Sequence, residues 1–195
     1  MKKIGLFFGS FNPVHIGHMI LAESILEQGY VEKIWFIVSP QNPFKEQKNL
    51  ADKLERLNMV RLAIDNNENM FASQIEFDMP IPSYTCDTIT KLKDMYVDAE
   101  FYLIVGMDAW TQMPIWKNFD YLKTIPTLIY PRPIQNISNN VVRIVKGDGD
   151  IFIQATNMPI SSTFIRNNIV EGKSVKYFLT DKVYEYIKQK QLYKK

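Results

Sequence analysis

Gly9-Ser10-Phe11-Asn12-Pro13-Val14-His15-Ile16-Gly17-His18 follows directly on an apolar run from Ile4 to Phe8. A short buried strand, a turn rich in Gly, Asn and Pro, and then a helix start is the layout of a phosphate cradle in an open α/β sheet. His15 and His18 are three residues apart, so they share a helix face, with Gly17 between them. Gly17 has no side chain, so a ligand can approach the backbone there. Two imidazoles beside the N–H groups of a helix start suit a polyphosphate whose charge must be held during reaction. A surface helix with incidental histidines is the plainer alternative. It is disfavoured because these are the chain's only two histidines and both fall inside the turn.

Working outward, strand-like apolar runs recur at Ile34–Val38, Phe101–Val105 and Thr127–Tyr130, with weaker candidates at Phe71–Phe77 and Ile151–Ala155. Helical patterns lie between them. Met19, Ala22 and Leu26 keep helical spacing with Gly29 as a stop, and Leu57, Val60 and Ile64 repeat the pattern. Asp87 to Met95 reads as a third helix. Ser161 or Ser162 can cap another that ends near Gly172, and Thr180 or Asp181 starts a last one carrying Val183, Tyr186 and Ile187. Strands alternating with helices predict an α/β protein with an open, mostly parallel sheet covered on both faces, followed by a C-terminal helical segment. Pro131 to Gly149 carries three turn signals and reads as an irregular excursion with room for a short strand.

At 195 residues, with no repeat or clear linker, one domain over 1–195 is expected. The net charge of +2 argues against a nucleic-acid coat, and the basic run Lys188 to Lys195 reads as a solvated helix end. Cys86 is the only cysteine, which excludes an intramolecular disulfide and a cysteine-based zinc site and fits a reducing compartment. The apolar run behind Lys2-Lys3 is too short for a secretory signal and is interrupted by Ser10, Asn12 and Pro13. No segment approaches a membrane span. A cytoplasmic protein with neither nucleic acid nor membrane as partner is expected; the oligomeric state, a homo-oligomer included, is left open.

The second informative stretch is Ile160-Ser161-Ser162-Thr163-Phe164-Ile165-Arg166. Consecutive hydroxyls at a helix start, with an arginine in the first turn, suit the β- and γ-phosphates of a nucleotide. Alone, the stretch reads more readily as a good N-cap with a solvent-facing Arg, and the first motif reverses that preference. The decapeptide resembles the H-x-G-H signature of the nucleotidyltransferase superfamily, and His15 to His18 also resembles the class I aminoacyl-tRNA synthetases. Ile160 to Arg166 resembles the I-S-S-T-x-I-R signature of nicotinate and nicotinamide mononucleotide adenylyltransferases. A synthetase would need a K-M-S-K-S-type loop and many more residues.

Further matches fall in order along nearly the whole chain, from about Lys3 to Tyr193. Pro40-Gln41-Asn42-Pro43-Phe44-Lys45 resembles the family's P-x-x-x-P-H-K loop, with Phe44 in place of its histidine. Arg56-Leu57-Asn58-Met59 resembles an R-x-x-M helix with a packing and loop-anchoring role. Ser83-Tyr84-Thr85-Cys86-Asp87-Thr88 resembles S-Y-T-x-D-T, which in bacterial members approaches the pyridine ring and its carboxylate. Gly106-Met107-Asp108 resembles a G-x-D turn near the ATP ribose, and Trp116-Lys117 the position whose indole stacks on nicotinate. Taken without the family, Trp116 reads as core, and Asp108 reads equally as a turn residue or a ligand contact. Phe8, Ser10 and Asn12 also depart from the common pattern. Ser10 keeps a hydroxyl and Asn12 a turn-forming carbonyl.

The resemblance implies a Rossmann-like fold and adenylyl transfer from ATP to nicotinate mononucleotide. It implies His15, His18, Lys45 and Arg166 as catalytic residues. ATP would be held by Gly9, Ser10, Phe11, Gly17, Gly106, Asp108, Ser161, Ser162 and Thr163, and the acceptor by Tyr84, Thr85 and Trp116. Mg²⁺ would accompany ATP with mostly water ligands and no dedicated protein ligand. Nicotinamide mononucleotide and phosphopantetheine are the alternative acceptors, and a non-catalytic nucleotide sensor is the alternative class.

Overall fold

Strict alternation of apolar side chains sends each strand's residues to two opposite faces, and both faces are covered. In β4 (Ala99–Gly106), Phe101, Leu103 and Val105 enter one buried cluster, and Tyr102 and Ile104 enter another. β1 (Lys2–Gly9) divides in the same way, with Ile4 and Leu6 on one side and Phe7 on the other. These strands belong to a computed structural model that describes residues 1–41, 50–131, 147, 149–155 and 158–194.

β2 (Lys33–Val38), β3 (Met70–Ser73), β5 (Thr127–Tyr130) and β6 (Asp150–Phe152) complete an open, wholly parallel sheet in the order β3-β2-β1-β4-β5-β6. The strand order reverses between β1 and β4, and ligands of open α/β sheets bind outside the carboxyl ends of the strands at such a point. The Phe7 face is covered by α1 (Ile16–Glu27), α2 (Lys53–Ile64), α6 (Ser162–Val170) and α7 (Asp181–Gln189), through residues such as Ile25, Val60, Ile165 and Val183. The Leu6 face takes α3 (Thr85–Met95), α4 (Met107–Trp110) and α5 (Phe119–Leu122), through Ile89, Trp110 and Leu122. Tyr186 of α7 ties the last helix down: its hydroxyl donates to Glu55 Oε2 at 2.6 Å and accepts from Asn58 Nδ2 at 3.2 Å.

Three expectations are corrected. The weak strand at Phe71–Phe77 ends at Ser73, and a 3₁₀ turn at Ile75–Asp78 follows. That turn buries Glu76, where the carboxylate accepts from Ser83 Oγ at 2.7 Å and Thr88 Oγ1 at 2.8 Å. The weak strand at Ile151–Ala155 is instead Asp150–Phe152, and the helix expected from Asp87 begins at Thr85. Most of the excursion between Pro131 and Gly149 lies outside the described residues. Among them, no helix is long and apolar enough to cross a membrane.

Candidate active site

The loop leaving β1 turns sharply. Phe11 sits at φ 44°, in the left-handed region that costs a non-glycine residue energy. Its ring folds back over Gly9, where a Cβ would lie 2.8 Å from Phe11 Cζ, so only glycine fits beneath it. The same ring packs edge-on against Phe7 at 5.7 Å and His18 at 5.2 Å between centroids. His15 is the N-cap of α1, and its backbone N–H donates to His18 Nδ1 at 3.1 Å. The two imidazoles stack with centroids 3.7 Å apart. Because Nδ1 of His18 accepts, Nε2 is the atom that carries the proton of the neutral ring and can donate it. Gly17 has a role beyond ligand approach: a Cβ there would meet His15 Nδ1 at 3.2 Å, so its bare face seats the His15 ring.

The second motif closes on this loop from far along the chain. Ser162 Oγ donates to the Pro13 carbonyl at 2.8 Å, and Arg166 Nη1 donates to the Asn12 carbonyl at 2.8 Å. Arg166 Nη2 also reaches Thr163 Oγ1 at 3.2 Å, and Ser161 caps α6 by accepting from the Phe164 N–H. Partial burial pulls the Arg166 guanidinium below its ordinary pKa, but it remains a cation at neutral pH. The Asn12 side-chain oxygen accepts from the Ala51 N–H at 3.1 Å and the Tyr193 hydroxyl at 2.8 Å. Burial pushes that phenol well above the usual tyrosine range.

Arg56 lies beneath these loops, fully buried, and donates to four main-chain carbonyls. Nε reaches Ala51 at 2.9 Å, Nη1 reaches Ser10 and Ser39 at 2.7 Å each, and Nη2 reaches Pro40 at 2.9 Å. One guanidinium thereby joins the loops after β1 and β2 to the entry of α2. Burial lowers its pKa, opposed by Tyr193 and Asp52.

A cleft of about 410 Å³ opens beside the ends of β1 and β4. Gly9, Ser10, Gly106, Asp108, Tyr84, Thr85 and Trp116 all line it. Tyr84 is the N-cap of α3 and Thr85 its first residue, while Trp116 ends the 3₁₀ turn Met113–Ile115. The predicted residues thus fall into two groups. One lines the cleft; the other, Phe11, His15, Gly17, His18, Ser161, Ser162, Thr163 and Arg166, surrounds the loop after β1. Gly9 and Ser10 adjoin both. Lys45 and Phe44 lie outside the described residues. The Cys86 thiol is pushed up, first by burial and then by Asp87, which disfavours the reactive thiolate.

Three contributors escaped the sequence reading. Glu76 sat inside an expected strand, and nothing local marked it as buried. Tyr193 and Lys117 lie within the matched stretches, yet only the fold shows Tyr193 on Asn12 and Lys117 at the cleft, 2.8 Å from Asp87.

Comparison with known proteins identifies the family. A cytidylyltransferase-like family model matches residues 6–168. A probable nicotinate-nucleotide adenylyltransferase of Cytophaga hutchinsonii is 42% identical over 192 residues, covering 98% of both chains. Its counterpart in Flavobacterium johnsoniae is 42% identical over 195 residues, covering 99% of this chain and 100% of its own. In fold, the chain matches Plasmodium falciparum nicotinic acid mononucleotide adenylyltransferase complexed with NaAD with a TM-score of 0.78 at 22% identity, over 99% of this chain and 98% of that one. A 3-2-1-4-5-6 parallel sheet with paired histidines opening its first helix, and relatives matched end to end, lead to one conclusion: the chain belongs to the nicotinate-nucleotide adenylyltransferase family of nucleotidyltransferases.

Proposed function

We propose that this enzyme transfers the adenylyl group of ATP to the 5′-phosphate of nicotinate mononucleotide, giving deamido-NAD and pyrophosphate. The observation that carries the reading is the closure of α6 onto the loop after β1. Arg166 and Ser162 bond the Asn12 and Pro13 carbonyls beside the stacked His15 and His18. We take this loop, whose Gly9 and Ser10 also line the cleft, as the triphosphate site and the cleft as the pyridine-nucleotide site.

The acceptor phosphate is already ionised at neutral pH, so no strong general base is needed. Its oxygen forms a bond to the α-phosphorus while the bond from that phosphorus to the bridging oxygen breaks, and pyrophosphate leaves with the electron pair. The protein's work is alignment and the offsetting of repulsion between anions. His18, through Nε2–H, and His15 bind the α- and β-phosphates. Arg166, with Lys45, stabilises charge growing on pyrophosphate. Gly9, Ser10, Phe11, Gly17, Ser161, Ser162 and Thr163 form the polyphosphate cradle, and Gly106 and Asp108 meet the ribose. Trp116 stacks on the pyridine ring while Tyr84 and Thr85 meet its carboxylate.

Among the described residues no three His, Cys, Asp or Glu side chains gather as metal ligands. Mg²⁺ would enter as the counter-ion of ATP, keeping mostly water ligands. This reading takes residues 1–195 as one domain working in the cytoplasm.

The test is pyrophosphate release from ATP with nicotinate mononucleotide, nicotinamide mononucleotide and phosphopantetheine in turn. Highest kcat/KM with nicotinate mononucleotide is expected. Equal or better use of another acceptor overturns the acceptor assignment, and no release with any of them overturns the chemistry.

A further inference from the structure

The cleft presents an electrostatic problem to an anionic acceptor. Among its described lining residues, Glu76 and Asp108 bring carboxyl groups, and Lys117 is the one cation. Glu76 is turned inward and held by the hydroxyls of Ser83 and Thr88, one on either side of Tyr84 and Thr85. Lys117 directly follows Trp116. Its Nζ stands 2.8 Å from Asp87 Oδ2, in the first turn of α3, and 4.6 Å from the centre of the Tyr84 ring. A helix start disfavours a cation. The Asp87 pair and the Tyr84 ring face offset that cost and hold the ammonium at the first turn of α3.

We propose that Lys117 is a specificity-determining residue, its ammonium held by Asp87 over Tyr84 so as to favour a carboxylate over a carboxamide on the pyridine ring. The inference rests on the acceptor reading above and deepens it. Trp116 offers the same stacking surface to both rings, and helix-start N–H groups can meet a carboxamide oxygen as well as a carboxylate. A formal charge is what separates the two acceptors most strongly; the helix start favours it, and Lys117 adds a full positive charge there. The side chains of Lys117 and Asp87 are 50% and 45% exposed, so water and salt weaken the effect without abolishing it.

The experiment compares wild type, K117M and K117R, measuring kcat/KM for nicotinate and nicotinamide mononucleotides at low and high ionic strength. Equilibrium binding of both nucleotides is measured in parallel. K117M is expected to lower the nicotinate-to-nicotinamide ratio about tenfold. The change should appear as a raised KM and Kd for nicotinate mononucleotide, with nicotinamide mononucleotide little affected. K117R should keep most of the preference. Added salt should lower the wild-type ratio and leave that of K117M nearly flat, which a merely structural role would not produce. A wild type with no preference for nicotinate mononucleotide in turnover or binding overturns both the acceptor reading and this proposal. A preference that survives intact in K117M overturns the role of Lys117 alone.

Discussion

Replacing Arg56 by Met should cost about 3–5 kcal/mol of folding stability. The side chain has no exposed surface and makes four hydrogen bonds of 2.7–2.9 Å, all to main-chain carbonyls. Methionine fills part of the volume but offers no donor. An acceptor left unpaired in full burial costs about 1–3 kcal/mol, so four give at most roughly 4–12 kcal/mol before relaxation. The sum is lower here because only the bond to Pro40 is fully buried. Two effects reduce that figure. A buried cation no longer has to be desolvated, which returns several kcal/mol, and water can enter beside some of the carbonyls. The remainder is a large share of the roughly 5–15 kcal/mol that holds a typical domain together.

Urea unfolding followed by the fluorescence of Trp35, Trp110 and Trp116 measures the loss. Arg56→Lys separates charge from shape: an ammonium restores the charge but cannot span four carbonyls that a planar fork reaches together. It should recover less than half of the lost stability. Ser10 and Ser39 line the cleft, so KM for the nucleotides should rise in whatever fraction of either variant folds. A loss below 1 kcal/mol in Arg56→Met, with unchanged KM, would refute the reasoning that this guanidinium joins the loops.

His18→Ala should lower kcat by roughly two to four powers of ten. It should also cost about 1 kcal/mol on thermal unfolding, because the ring caps the His15 N–H; His18→Asn, which keeps an acceptor, separates the two effects. Arg166→Lys keeps the charge but loses the fork that holds Asn12 and Thr163, so kcat should fall together with ATP affinity; a change confined to the KM for ATP would mean uniform binding only. The Tyr193 phenol is raised above its unfolded pKa of about 10, so its contribution is intact below pH 10 and is lost above it, as the unfolded chain releases the proton first. Stability curves above pH 10 should therefore fall less steeply for Tyr193→Phe than for wild type, by up to about 1.4 kcal/mol per pH unit; identical slopes would mean that this phenol is not buried on Asn12.

The main strands were legible because a parallel sheet buried on both faces writes itself as unbroken apolar runs, as in Ile34–Val38 and Phe101–Val105. The turn after β1 and the start of α1 were legible because glycine, asparagine and proline directly follow the apolar run of β1. What could not be read was set by contacts distant in sequence. Asn12 looks like a turn residue, yet its environment depends on Tyr193, 181 positions away, and Arg166, 154 positions away. Gly17 reads from the sequence only as a place for backbone approach, and the packed rings add that its missing Cβ also seats His15. Glu76 lay in a segment with strand-like spacing. The 3₁₀ turn that buries it is worth forming because Ser83 and Thr88 stand ready to donate to the carboxylate, which local propensity cannot register.

The sheet itself divides the labour of the site. Phe11, Val14 and Ile165, which seat the loop after β1 and α6, pack on the Phe7 face together with α1, α2 and α7. Tyr84 and Trp116 pack on the other face, against the cluster formed by α3, α4 and α5. The halves meet where the strand order reverses, at the carboxyl ends of β1 and β4. Substitutions at Tyr84 or Trp116 therefore repack the second cluster first and leave the hydrogen bonds around Asn12 and Pro13 in place. Well-separated sites perturb one another little. Such a scaffold can keep its triphosphate chemistry while the acceptor changes. It follows that acceptor choice should be sought in α3, Trp116 and Lys117, and not in the histidine loop that first identifies the fold.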